Sequence, residues 1–258
     1  MKIWFQSLAV IAALLVHTVA SAQATKPSIV LVHGAFAESS SWNGVIAVLE
    51  KDGYTVVAAA NPLRGVKSDA ASVASVVSSI KAPVVLVGHS YGGSVISEAA
   101  VGQANVKALV YVAAFAPDAG ETASALSGKF PGSTLGDAIA PPVPLPGGGN
   151  DLYIRSDKFR SQFAADVSEA NAKLMAATQR PITDTALNEA STEPAWKTTP
   201  SWFVYGDADR NIPAAAIAWM AERAHAKQTV AVKGASHVVM ISHPDAVAKV
   251  IESAATAK

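Results

Sequence analysis

The 258-residue chain has no cysteine. No disulfide can staple it and no thiolate can act as nucleophile or metal ligand, so its stability must come from a packed core. Charge is also scarce: 16% of residues are Asp, Glu, Lys or Arg, and the 20 basic and 20 acidic residues cancel. With no net charge and no charge run, there is no electrostatic case for binding nucleic acid or an acidic membrane surface. Internal repeats are absent, and the only biased segment is the Pro/Gly stretch Pro141-Pro142-Val143-Pro144-Leu145-Pro146-Gly147-Gly148-Gly149. What the chain does have is apolar surface. Half its residues are hydrophobic, which excludes a disordered chain and, at this length, suits one α/β domain or a core domain with an inserted subdomain.

The first two dozen residues differ from the rest. Met1-Lys2 supplies a basic start, Ser7 to Ala20 is mostly apolar, and Ala20-Ser21-Ala22 and Ala22-Gln23-Ala24 offer small-x-small cleavage sites. This pattern reads as a secretory signal over residues 1–24. The apolar run is too short for a spanning helix and contains His17. The expectation is a periplasmic or secreted protein, free of the membrane once the signal is cleaved.

From residue 25 onward, β-rich apolar runs alternate with segments of helical period. Runs at Ser28–Val32, Tyr54–Ala59, Val84–Val87, Val106–Ala113, Trp202–Tyr205 and Thr229–Val232 are separated by helical patterns such as Val66–Ile80 and Tyr91–Val101. Uniformly apolar strands separated by helices predict a mostly parallel sheet of about six strands, covered by helices on both faces. The alternation breaks between about residues 117 and 199 and then resumes, so this segment is expected to be a cap inserted into one domain spanning 25–258. Within it, the Pro/Gly stretch is expected to lack regular structure and Asp157–Gln179 to be helical.

Gly88-His89-Ser90-Tyr91-Gly92 falls between an apolar strand and a helical segment. A serine between two glycines in that context is the nucleophile-elbow pattern, in which a sharp turn exposes the hydroxyl and a flanking side chain would collide with the neighbouring elements. A serine hydroxyl is a poor nucleophile until a base, oriented by an acid, accepts its proton. Downstream, Tyr205-Gly206-Asp207-Ala208-Asp209 follows an apolar strand, and Asp209 is preferred as the acid. Asp207 directly follows the strand glycine and can instead brace the turn. His237, in Gly234-Ala235-Ser236-His237-Val238, returns to the same sheet edge as the expected base, with His243 as its substitute. Negative charge on the former carbonyl oxygen calls for two backbone N–H donors: that of Tyr91, and that of Ala35 in the loop Val32-His33-Gly34-Ala35-Phe36. His33 reads as a core histidine orienting that loop.

With these residues assembled, the sequence resembles the α/β-hydrolase superfamily along nearly its whole length. Within that superfamily, His33-Gly34-Ala35 with Ser41-Trp42, and Tyr111-Val112-Ala113-Ala114-Phe115-Ala116-Pro117, are similar to the branch of plant methylesterases and hydroxynitrile lyases. The resemblance implies an enzyme without cofactor or metal, a Ser90–Asp209–His237 triad, and a cap after the strand ending near Ala114. Lyases of that branch carry a lysine directly after the histidine; here the position is Val238, which disfavours cyanide release. Aromatic and apolar residues of the insertion, Phe159, Phe163, Met175 and Trp196, together with Phe36, are expected to line a pocket for a small, uncharged, partly apolar ester, the small-molecule partner. A lyase or C–C hydrolase, and a binding homologue with little activity, are the alternatives. Fold alone does not choose among them.

Overall fold

The computed structural model describes residues 26–257; the sequence read as a signal, 1–24, lies outside the described residues. Six parallel strands form the central sheet: β1 (Ser28–Val32), β2 (Val56–Ala59), β3 (Val84–His89), β4 (Val106–Val112) and, after a long excursion, β8 (Ser201–Gly206) and β9 (Gln228–Val232), in the order β2-β1-β3-β4-β8-β9. Every residue of β1 and β3 is buried, which explains why these strands read as unbroken Val/Ile/Leu runs without alternation. The edge strand β9 is half exposed and carries Gln228 and Thr229.

Helices cover the sheet. α1 (Asn43–Lys51) packs beside α11 (Pro244–Thr256), and α2 (Val66–Ser79) beside α3 (Gly92–Ala99), while α9 (Ala214–Arg223) lies against β8. Pro244 opens α11, where a missing N–H leaves no helical bond unmade. Tyr111 of β4 stacks on Phe203 of β8 with ring centroids 4.6 Å apart. Each fully buried Leu, Ile or Phe of this core contributes on the order of 1.5–3 kcal/mol. Among the described residues no helix is long and apolar enough to cross a membrane.

The excursion between β4 and β8 folds over the carboxyl ends of the strands. It contains α4 (Ala123–Ser127), α5 (Leu135–Ala138), α6 (Ser156–Phe163), α7 (Glu169–Thr178), α8 (Asp184–Asn188) and a small antiparallel sheet of β5 (Val143–Pro144), β6 (Asn150–Leu152) and β7 (Ile182–Thr183). Two expectations are corrected here. The Pro/Gly stretch is not irregular throughout: Val143–Pro144 is an edge strand, a place where proline's missing donor does no harm, and residues 145–149 form its hairpin turn. The helical reading of 157–179 is two helices, the second begun by Ser168, whose hydroxyl accepts the N–H of Asn171 at 3.3 Å. The caps at Thr122 and Thr183 work the same way, each accepting an N–H at 3.1 Å.

The base of the cap is fastened at both ends. Arg223 of α9 donates to both carboxylate oxygens of Glu121 at 2.8 Å and to the Ala116 carbonyl at 2.7 Å. Its guanidinium lies 4.2 Å from the Trp219 ring centre and 5.3 Å from that of Trp196. Trp196 donates through Nε1 to the Pro117 carbonyl at 2.8 Å, joining the outgoing and returning chain.

Candidate active site

The order of the sheet reverses between β1 and β3, because the chain goes outward to β2 before returning to β3 on the other side. A crevice opens at the carboxyl ends of strands at such a switch point. The loops that follow β1 and β3 meet there. Ser90 directly follows β3 with φ 55°, a left-handed conformation that a side chain adopts only when its surroundings force it. The surroundings do: a Cβ on Gly88 would come within 2.5 Å of the Gly92 carbonyl oxygen, and one on Gly92 within 2.6 Å of the Val32 carbonyl oxygen. Strand, turn and helix are therefore pressed against one another, and Ser90 stands at the apex.

His237 lies in the loop between β9 and α10 (Val239–Ser242), and Asp209 in the loop after β8. The His237 Nδ1–H donates to Asp209 Oδ2 at 2.7 Å, with both side chains buried. The other carboxylate oxygen, Oδ1, accepts the N–H of Asn211 at 2.7 Å and of Ile212 at 3.1 Å. Asp209 is thus aimed by two backbone donors. Nε2 of His237 is buried and has no hydrogen-bond partner among the described residues. Both His237 and Ser90 line one cavity of about 250 Å³. Asp207 is exposed and accepts the N–H of Gly234 at 2.6 Å, bracing the loop that leads to His237. His243 is partly exposed, its Nδ1 2.9 Å from the Ser242 hydroxyl, and it does not reach the cavity.

Ala35 and Tyr91 line the same cavity, and neither N–H donates to any acceptor among the described residues. The next N–H along, that of Phe36, is engaged by the Arg180 carbonyl at 3.0 Å. The Ala35 loop is latched from behind by His33, which is fully buried. Asn61 donates its backbone N–H to His33 Nε2 at 3.0 Å and its side-chain amide to the His33 carbonyl at 2.9 Å, so Nδ1 carries the proton and donates to the Gly34 carbonyl at 3.0 Å. Burial lowers the His33 pKa to about 4, keeping the ring neutral.

Four supporting groups escape the sequence reading. Tyr91 donates its hydroxyl to buried Asp69 at 2.9 Å, and burial raises the pKa of both groups. His89 donates Nε2–H to the His237 carbonyl at 3.1 Å, its ring 4.8 Å from that of His237. Burial and the neighbouring imidazole push its pKa well down, which keeps the His89 ring neutral. Asp166, just beyond α6, accepts the Ser236 hydroxyl and so ties the cap to the loop of His237. Asn211 lines the cavity and is 3% exposed. Only Asn211 left a readable trace, as a polar residue two positions after Asp209 at a strand end; the other three depend on contacts from distant segments.

The expected pocket residues divide. Phe36 and Phe163 line the cavity, edge to face with centroids 6.1 Å apart, and Phe163 also covers His237 at 5.1 Å. Phe159, Met175 and Trp196 do not line it. Phe159 is buried behind Phe163, 5.1 Å between centroids, because it sits one helical turn earlier on α6. Met175 faces a separate outer groove with Leu174 and Glu38, and Trp196 serves the base of the cap. Ser124, Ser127, Leu135, Ile139 and Leu152 of the cap add to the wall, and among the described residues no Asp, Glu, Lys or Arg borders the cavity. No cluster of metal-ligating side chains occurs among the described residues.

Comparison with known proteins agrees with this fold. The family model described as "Alpha/beta hydrolase family" matches residues 29–250. The alpha/beta hydrolase nvfD of Aspergillus novofumigatus is 26% identical over 251 residues, covering 89% of this chain and 97% of its own. An alpha-hydroxynitrile lyase of Arabidopsis thaliana is 26% identical over 241 residues, covering 85% and 93%. Among solved structures, polyneuridine aldehyde esterase superposes with a TM-score of 0.77 at 20% identity, over 89% of this chain and 99% of that one. A pyrethroid hydrolase from Sphingobium faniae does so with 0.71 at 22%, over 90% and 98%. At these identities the structures speak for the fold.

Proposed function

The chain belongs to the alpha/beta hydrolase family, and we propose that it is a serine esterase acting on small, uncharged, partly apolar carboxylic esters. One observation carries the reading: the buried, unpartnered Nε2 of His237 shares a cavity with the strained Ser90, and that cavity has no charged wall among the described residues. In the proposed reaction Ser90 Oγ attacks the ester carbonyl carbon as its proton passes to His237 Nε2. Asp209 stabilises the imidazolium through Nδ1–H, and the N–H groups of Ala35 and Tyr91 bind the oxyanion. Collapse of the tetrahedral intermediate expels the alcohol, protonated by His237, and leaves an acyl-Ser90. Water, deprotonated by the same ring, then releases the acid. The Ser90–His237 bond forms as substrate seats, which is usual for catalytic contacts in ligand-free sites.

No metal or cofactor enters this scheme. Its test is labelling by a fluorophosphonate and turnover of short p-nitrophenyl esters, both expected for the protein as it stands and both lost in Ser90→Ala; a protein that neither labels nor turns over such esters is not a serine esterase. Similarity to a hydroxynitrile lyase raises the second reading, cleavage of a cyanohydrin. Val238, next to His237, is fully buried and apolar, so no cation stands there to hold a departing cyanide. The same proposal takes the protein to be exported, on the strength of the basic start and apolar run in residues 1–24. N-terminal sequencing of material recovered from the periplasm or medium, beginning after Ala22 or Ala24, checks it.

A further inference from the structure

Asn211 has two jobs, and only one belongs to the triad. Its backbone N–H holds Asp209; the residue also lines the cavity, and the orientation of its side-chain amide is fixed from a distance. Gln162 Nε2 donates to the Arg210 carbonyl at 2.9 Å, and a carbonyl oxygen can only accept. Gln162 is therefore locked with Oε1 toward the Thr134 hydroxyl, which donates to it at 2.8 Å. The second proton on Gln162 Nε2 then points at Asn211, which must answer with its oxygen: Nε2 to Asn211 Oδ1 is 2.7 Å. Turning the Asn211 amide over would set two N–H donors against each other. Its Nδ2 is left with no acceptor among the described residues, on a residue that is almost wholly buried and lines the cavity shared by Ser90 and His237.

Water can satisfy such an amide donor while the site is free, but the donor is left unpaired when carbon displaces that water. The remainder of that wall does not relieve it: the Ser127 and Ser133 hydroxyls donate to the Asn211 backbone carbonyl, at 3.2 and 2.9 Å. We propose that Asn211 Nδ2 is a specificity donor and that the preferred substrate is an ester carrying a second acceptor oxygen, a keto or hydroxyl oxygen in addition to the scissile group. This deepens the esterase reading and rests on it. A substrate that fills the cavity with carbon alone leaves the amide desolvated and unpaired, whereas one with the extra oxygen satisfies it. Sites built to bond a polar substituent reject the analogue lacking it far more strongly than apolar pockets reject a missing methylene.

The test compares matched esters on the full-length protein: ethyl 3-oxobutanoate with ethyl 3-methylbutanoate, and ethyl 4-oxopentanoate with ethyl 4-methylpentanoate, where oxygen replaces a methyl of similar size. The expected result is a kcat/KM ratio of about 10- to 100-fold in favour of the oxo ester in at least one pair. In Asn211→Leu that ratio should fall to within about threefold of unity. Hydrolysis of all four esters by the wild type with no preference in either pair overturns the role of Asn211 while leaving the esterase intact. So does a preference that persists undiminished in Asn211→Leu. Failure to hydrolyse any of them, with no fluorophosphonate labelling, overturns the esterase reading and this inference together. The wild-type comparison decides the question even if the variant does not fold.

Discussion

The floor and the roof of the cavity are built in opposite ways. The floor is backbone: Ser90, the free N–H groups of Ala35 and Tyr91, and glycines that let loops from β1 and β3 press together. The roof is side chains: Phe163, Leu135, Ile139 and Leu152, borne on or beside short helices and the three-residue middle strand of the small sheet. A backbone-built surface tolerates few residue types at each position, because a single Cβ is refused by carbonyl oxygens under 3 Å away. A surface made of side chains accepts any apolar group of about the right volume. Chemistry is therefore written in the floor, and substrate range in the roof.

Breaking the floor should have the largest effect. Ser90→Ala is expected to lower kcat by about 10⁶-fold with an unchanged melting temperature, since only binding and the oxyanion donors remain; a residual rate within a hundredfold of wild type would place the nucleophile elsewhere. Next comes Asp209→Asn, with a kcat about 10⁴-fold lower in a folded protein. Asp207→Asn should instead cost about 1 kcal/mol of stability, from its bond to Gly234, and leave the rate near wild type. Stopped-assay kinetics and urea melts on the pair decide the assignment, and a reversed pattern would move the acid to Asp207.

The latch behind the floor has a pH signature. His33 titrates near its ordinary 6.5 when unfolded and at about 4 when folded, so between those values the unfolded chain binds more protons and stability rises with pH. The contribution is intact above pH 6.5 and is lost progressively as pH falls through that window, the loss reaching about 3 kcal/mol by pH 4. Half-buried carboxylates held below their usual range, such as Glu98, also lose stability on acidification, so the measurement is the difference in unfolding free energy between wild type and His33→Gln at pH 7 and pH 4.5. Identical pH slopes for the two proteins would show that His33 is not a buried neutral base.

The smallest effects should come from the roof. Phe163→Leu, which thins the cover over His237, is expected to raise KM for short esters about tenfold. Met175→Leu should leave KM within about twofold, because Met175 looks into a different groove. Equal changes in the two variants would mean that the roof seals by its overall seating and not by the residues that touch the cavity.

The same contrast explains what could be read in the sequence. The sheet and the elbow were legible because strands buried on both faces leave unbroken apolar runs, and because Gly88 and Gly92 admit no alternative. Asp209, the partner of His237, was separable from its neighbour by position after the strand, since Asp207 sits where a turn needs an acceptor. The roof was not legible in detail. Phe159, Phe163, Met175 and Trp196 are all large and apolar, yet one lines the cavity, one backs it, one faces an outer groove, and one bolts the base of the cap to Arg223. Which of these happens depends on where α6 ends and how the returning chain meets α9, and neither is a local property. Pro144 misled in the other direction, because an edge strand spends no donor at that position. Asn211 was hidden for a related reason: its orientation is dictated by Gln162, on a helix of the cap.

The whole cap leaves the sheet after β4 and returns to β8, and these two strands are neighbours. Nothing in the pairing of the strands registers how much chain lies between them. Loop-closure entropy grows only logarithmically, so halving or doubling such an excursion changes the free energy by about 0.6 kcal/mol. A lineage can thus lengthen, trim or exchange the cap while inheriting the sheet, the serine and the histidine unaltered, and acquire a new diet without relearning its chemistry.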